Sequence, residues 1–159
     1  MRKNLLLIIL VSLCIGCKST SITNNKLDGK KERMLKGDWT ITSVTFPGSE
    51  YLNVTSFNLL DSQCFIGSDW NFISNNNKGT MRIKGNNKCQ SFDSPITWYI
   101  NTDGNFIFKI INGNKAKQVK SGYIMSVKNI SETSFQLSNK VDVAGSIKDI
   151  TYTFQRNNY

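Results

Sequence analysis

Histidine is absent from the chain, and cysteine occurs at only four positions, 14, 17, 64 and 89. That pair of facts bounds the chemistry. Without histidine there is no Ser-His or Cys-His couple, no imidazole ligand for a metal, and no general base of the commonest kind. A structural zinc site needs four ligands, more than Cys64 and Cys89 supply. The aspartates Asp61, Asp69, Asp93, Asp103, Asp142 and Asp149 stand mostly in turn or strand-end contexts. There a short carboxylate serves local hydrogen bonds, and nothing in the spacing marks two of them as an acid-base pair. The residues therefore predict a protein that is not an enzyme and carries no cofactor and no metal.

The other two cysteines belong to a different kind of segment. Met1 to Asn4 carries Arg2 and Lys3, and Leu5 to Ile15 is an apolar run interrupted only by Ser12 and Cys14. A membrane-spanning helix needs about 20 apolar residues, so this shorter run with its charge-then-apolar order reads as a secretory signal. Its end, Cys14-Ile15-Gly16-Cys17, resembles a bacterial lipobox, with Cys14 where Leu is usual. The resemblance implies that residues 1–16 are removed and that Cys17 becomes the lipid-modified first residue. Acylation at more than one point holds a protein firmly to a membrane. Lys18 is not the aspartate that resembles an inner-membrane retention signal, so the expected address is the outer membrane. Residues 17–34 are rich in Lys, Asn, Ser and Thr and read as a flexible tether. After processing, Cys64 and Cys89 remain, and an even pair in an exported small β domain predicts a disulfide.

The formal charge of +9 comes from 20 basic and 11 acidic residues. Much of the excess lies in the leader and tether. Within the domain, Lys84, Lys109, Lys128 and Lys148 alternate with apolar neighbours, which places them on outward faces of strands. No basic cluster is interleaved with stacking aromatics, so no nucleic-acid partner is expected.

The elements that must position any site are short runs of aromatic and β-branched residues separated by Asn, Gly, Ser and Lys. Leu35-Lys36-Gly37-Asp38-Trp39 opens the first strand, in which the alternation of Trp39, Ile41, Val44 and Phe46 slips at Thr42-Ser43, the mark of a β-bulge. Residues 51–60 show no clean period and read either as a short helix or as a lid over one mouth. Trp70 and Phe72, Met81 and Ile83, then Ile96, Trp98 and Ile100 answered by Phe106, Phe108 and Ile110 read as successive strands. Val119, Tyr123, Met125 and Val127, then Phe135 and Leu137, then Ile147, Ile150, Tyr152 and Phe154 complete the set. The count is about eight, the number that closes into an up-and-down antiparallel barrel wide enough for one small ligand. An open β-sandwich is the alternative architecture.

The Gly37-x-Trp39 start and the Cys64-Phe-x-Gly-Ser-x-Trp70-x-Phe72-Ile73 run resemble the lipocalin-type barrels, and the whole chain is similar to the lipocalin-like lipoproteins of Gram-negative bacteria. The resemblance covers residues 35–159. It implies a barrel whose floor is closed by Gly37, Trp39 and an arginine of the last strand, here Arg156, laid across the indole. It also implies binding of a small hydrophobic or amphipathic molecule by a membrane-anchored monomer. Inward residues Trp70, Phe72, Trp98, Phe106, Phe108, Tyr123, Met125, Phe135 and Tyr152 are the candidate wall. Alternation alone does not separate a lined cavity from a solid core. With a filled interior and an apolar patch on residues 51–60, the same barrel would instead dock on an envelope protein, as an inhibitor, immunity factor or assembly accessory.

Overall fold

The computed structural model describes residues 29–49, 51–143 and 145–157. The leader, Cys17 and residues 18–28 of the tether lie outside the described residues. A helix α1 (Gly29–Leu35) leads into β1 (Gly37–Thr45), and the lid segment that follows carries the short strands β2 (Thr55–Ser56) and β3 (Leu60–Asp61) and a 3₁₀ turn, Ser62–Phe65. Then come β4 (Asp69–Ile73), β5 (Lys78–Ile83), β6 (Phe92–Ile100), β7 (Asn105–Ile110), β8 (Tyr123–Lys128), β9 (Ser134–Val143) and β10 (Ser146–Arg156).

Eight of these strands form a closed antiparallel barrel in the order β1-β10-β9-β8-β7-β6-β5-β4, with β4 paired back onto β1. Sandwich architecture is thereby excluded. Closure removes the unpaired edges that an open sheet of this length would expose. The slip in β1 is a real register shift between Ile41 and Ser43 opposite β10, and it bends the strand while returning Val44 to the interior face. Alternation holds along the wall: β5 runs exposed-buried over its six residues, and β6 buries Ser94, Ile96, Trp98 and Ile100 in turn.

Two expectations need correction. Residues 29–34 are not tether, because α1 docks on the barrel floor with Glu32 and Leu35 buried. The four charges in Lys30-Lys31-Glu32-Arg33 disguise it, since a seven-residue helix this polar gains its stability from tertiary contacts rather than propensity. Val119 is also outside any strand; it lies in the β7–β8 loop, where its carbonyl accepts a bond from Lys109 Nζ at 2.9 Å.

Glu32 is the docking pin. It is 3% exposed, and its Oε1 accepts the Ile100 backbone N–H at 3.0 Å and Asn77 Nδ2 at 3.4 Å. Glu32→Ala leaves that buried N–H without a partner and is expected to cost about 1–3 kcal/mol in urea unfolding. Glu32→Gln keeps an acceptor there and is expected to lose less.

Candidate functional site

The floor end is a sealed layer. Gly37 has φ +120°, a conformation that L side chains rarely adopt, and a Cβ there would stand 2.6 Å from Arg156 Nη1. Glycine is thus required so that the guanidinium can reach the Trp39 ring, 4.1 Å from its centroid. The same guanidinium donates to the backbone carbonyls of Glu132, Lys36 and Met34 at 2.5, 3.0 and 3.0 Å. Trp39 Nε1 donates to the Leu35 carbonyl at 2.8 Å, tying the floor to α1. Above it, Phe135 meets Trp39 edge-on at 4.7 Å and stacks on Phe154 at 4.5 Å. Phe72, Trp98 and Phe106 fill the rest of the layer at ring separations of 5.2 to 5.6 Å. Four of the nine candidate wall residues, Phe72, Trp98, Phe106 and Phe135, therefore pack against one another in this floor layer.

The remaining five, Trp70, Phe108, Tyr123, Met125 and Tyr152, do converge in the upper half of the barrel. They surround a ring supplied by the lid and not by the wall. Phe57 lies 5.1 Å from Phe108 and from Tyr123, and 5.2 Å from Phe65 and from Tyr152, on which it stacks at 29°. The gap beneath it, bounded by Ile41, Phe57, Trp70, Phe108, Met125, Leu137, Tyr152 and Phe154, has 0 Å³ that a water molecule could enter. Residues 51–60 are thus a lid with two short strands, and the lid plugs the mouth.

Phe57 and its neighbour Asn58 hold φ at +55° and +49°. A bulky residue in that region carries local strain of about 1–3 kcal/mol. Two hydrogen bonds fasten the plug. Ser56 Oγ and Tyr152 Oη are 2.5 Å apart, and Tyr123 Oη donates to the Phe57 carbonyl at 2.5 Å. No charged side chain borders the gap. Sequence reading missed Phe57, Phe65 and Ser56, although an aromatic beside Asn in an aperiodic stretch was the available signal.

Burial raises the Tyr152 phenol well above its ordinary value, with the Ser56 bond opposing in part, and burial raises Tyr123 as well. Both stay protonated at neutral pH. A phenol whose folded pKa is raised contributes stability that is fully present below its unfolded value, about 10, and is lost as pH rises beyond it. Alkaline denaturation above about pH 10 is therefore expected to be steeper in the native protein than in Tyr152→Phe.

The disulfide joins Cys64, in the 3₁₀ turn that ends the lid, to Cys89 in the β5–β6 loop. It anchors the end of the lid to the β5–β6 loop. Among the described residues no three His, Cys, Asp or Glu side chains converge as a metal site would require. Asp38, Asp69 and Asp93 do border an outer groove of about 370 Å³. Each has its own partner there: Asn71, Lys84 and Arg82 at 2.7, 2.9 and 2.9 Å.

The lipocalin-like domain family matches residues 35–137, and no curated protein matches the chain. Among solved structures, the chain is similar to bovine odorant-binding protein in complex with a selenium-containing odorant, at 14% identity over 80% of this chain and 76% of that one, TM-score 0.46. A second structure of bovine odorant-binding protein, complexed with its natural ligand, gives 16% identity over 79% and 73%, TM-score 0.44. Since the family covers more than half of its length, including the Gly37-x-Trp39 floor and the lid, the chain belongs to the lipocalin-like domain family.

Proposed function

We propose that this protein is a monomeric, membrane-anchored carrier that binds a small hydrophobic or amphipathic molecule in the upper half of its barrel, in the space filled here by Phe57. One observation carries this reading: the ring that closes the chamber comes from a lid segment with two consecutive positive-φ residues, whereas the wall strands alone line a ring-walled, charge-free cup. Burying one more apolar ring in such a cup is favourable by about 1.5–3 kcal/mol, the gain a ligand ring would take in the place of Phe57.

Anchoring fits the same layout. Lipid modification at Cys17 would place the chain in the outer membrane, with α1 on the floor nearest the anchor. Residues 18–28 reach at most about 35–40 Å when extended. Replacing Cys17 with alanine is expected to move the protein from the membrane to the soluble fraction. Native mass spectrometry of that domain, exported and purified without detergent, is expected to show a retained small molecule. An oxidised but empty mass, unchanged on incubation with apolar compounds, would count against the carrier.

A second reading has its own observation. Tyr51 is 86% and Leu52 39% exposed, beside a groove of about 430 Å³ between Leu52–Thr55 and Val141–Val143. With the interior filled, that rim suits docking on another envelope protein. An empty mass together with loss of a partner complex in Tyr51→Ser would favour it.

A further inference from the structure

The hydrogen bonds that fasten the lid also specify what can replace it. This inference rests on the carrier reading. When the lid segment 55–58 leaves, the buried Tyr152 hydroxyl loses Ser56 Oγ and the Tyr123 hydroxyl loses the Phe57 carbonyl. A ligand that enters the same space covers these phenols again, and a hydroxyl left unpaired beneath it is costly. The vacated space is that of a benzyl group, faced by the Tyr152 ring and edged by Phe65, Phe108 and Tyr123. Such a box selects a planar ring, because edge-on and offset-stacked contacts both need one.

Charge is selected against. No cation borders the chamber, and a phenol is neutral at pH 7, so an anionic head would enter without a counter-charge. We propose that the ligand is a neutral single-ring aromatic bearing one oxygen function, a phenol, aryl alcohol or aryl carbonyl. Its oxygen re-pairs the Tyr152 hydroxyl while its ring takes the place of Phe57.

The test is calorimetric titration of the Cys17→Ala domain at pH 7 with three ring compounds of similar size: p-cresol, toluene and benzoate. Restoring one hydrogen bond is worth roughly a 5- to 10-fold difference in affinity. The expected order is p-cresol about 10-fold tighter than toluene, with benzoate at least 10-fold weaker than either. In Tyr152→Phe the preference for p-cresol over toluene is expected to shrink to about 2-fold or less. Phe57→Ala, which removes the competing ring, is expected to tighten p-cresol and toluene together. Equal binding of toluene and p-cresol, or binding of benzoate as tight as p-cresol, would overturn the proposal. Should a long-chain amphiphile be retained while none of the three rings binds, the ligand class falls and the carrier stands. Failure of every apolar compound to bind would remove the carrier reading itself.

Discussion

Trp39→Ala is expected to bring the protein to the edge of unfolding. The indole is fully buried, holds Phe135 edge-on at 4.7 Å, and lies under Arg156 at 4.1 Å. Truncating a buried Trp to Ala costs about 3–5 kcal/mol through lost transfer energy and the cavity left behind. Here two further groups lose their partners, the Leu35 carbonyl and the guanidinium face. Against a total stability of about 5–15 kcal/mol, a loss of that size is decisive. Urea unfolding followed by circular dichroism measures it. Trp39→Phe keeps part of the packing and is expected to lose less. Arg156→Lys keeps the charge but cannot hold three carbonyls in one fork, so it too is expected to destabilise, by about 1–2 kcal/mol. A Trp39→Ala variant as stable as wild type would mean that the floor is not the organising layer.

Removing the disulfide is the second large effect. Cys64 and Cys89 are separated by 25 residues. A loop of that size constrains the unfolded chain by about 3 kcal/mol in the chain-entropy account. Cys64→Ser with Cys89→Ser is accordingly expected to lower Tm by roughly 10–15 °C for a domain of this length. Wild type treated with reductant is expected to melt with the double variant, and reductant is expected to leave the variant unchanged. The loss should also reach the mouth, since the bridge fixes the lid's end just before β4. Faster hydrogen exchange in residues 60–66 of the variant is the matching local signature.

How far these features could be read from residues alone follows from what each one depends on. The floor was legible through the resemblance of the Gly37-x-Trp39 start and the last-strand Arg156 to lipocalin-type barrels; the structure adds why, since Gly37 supplies a positive φ and room for the guanidinium over the Trp39 ring. The wall was legible because alternation has a period of two and closure buries every second residue, as β5 and β6 display. The bulge in β1 was legible as a slip in that period. Helix α1 was not legible, because a buried carboxylate such as Glu32 has the same letter as a solvated one. Its acceptor role exists only once Ile100 and Asn77 are brought to it.

The interior posed the harder problem. Inward-facing residues are fixed by alternation, but whether they meet is set by volume across the barrel. Phe72, Trp98, Phe106 and Phe135 are simply large enough to touch. Phe57 escaped notice since it approaches from a segment with no period at all, and its position depends on two consecutive residues with positive φ. The division of the barrel into a packed floor and a plugged mouth is therefore a property of the assembled structure.

The most direct test of the central claim is to watch the Phe57 ring itself. With phenylalanine and tyrosine side chains isotopically labelled, the free protein is expected to show nuclear Overhauser contacts from Phe57 to Phe108, Tyr123 and Tyr152. Saturation with a bound apolar ligand is expected to remove those contacts and replace them with contacts from the ligand to the same three rings. A ligand that binds to saturation while the Phe57 contacts persist unchanged would contradict the account, because its site would then lie outside the barrel.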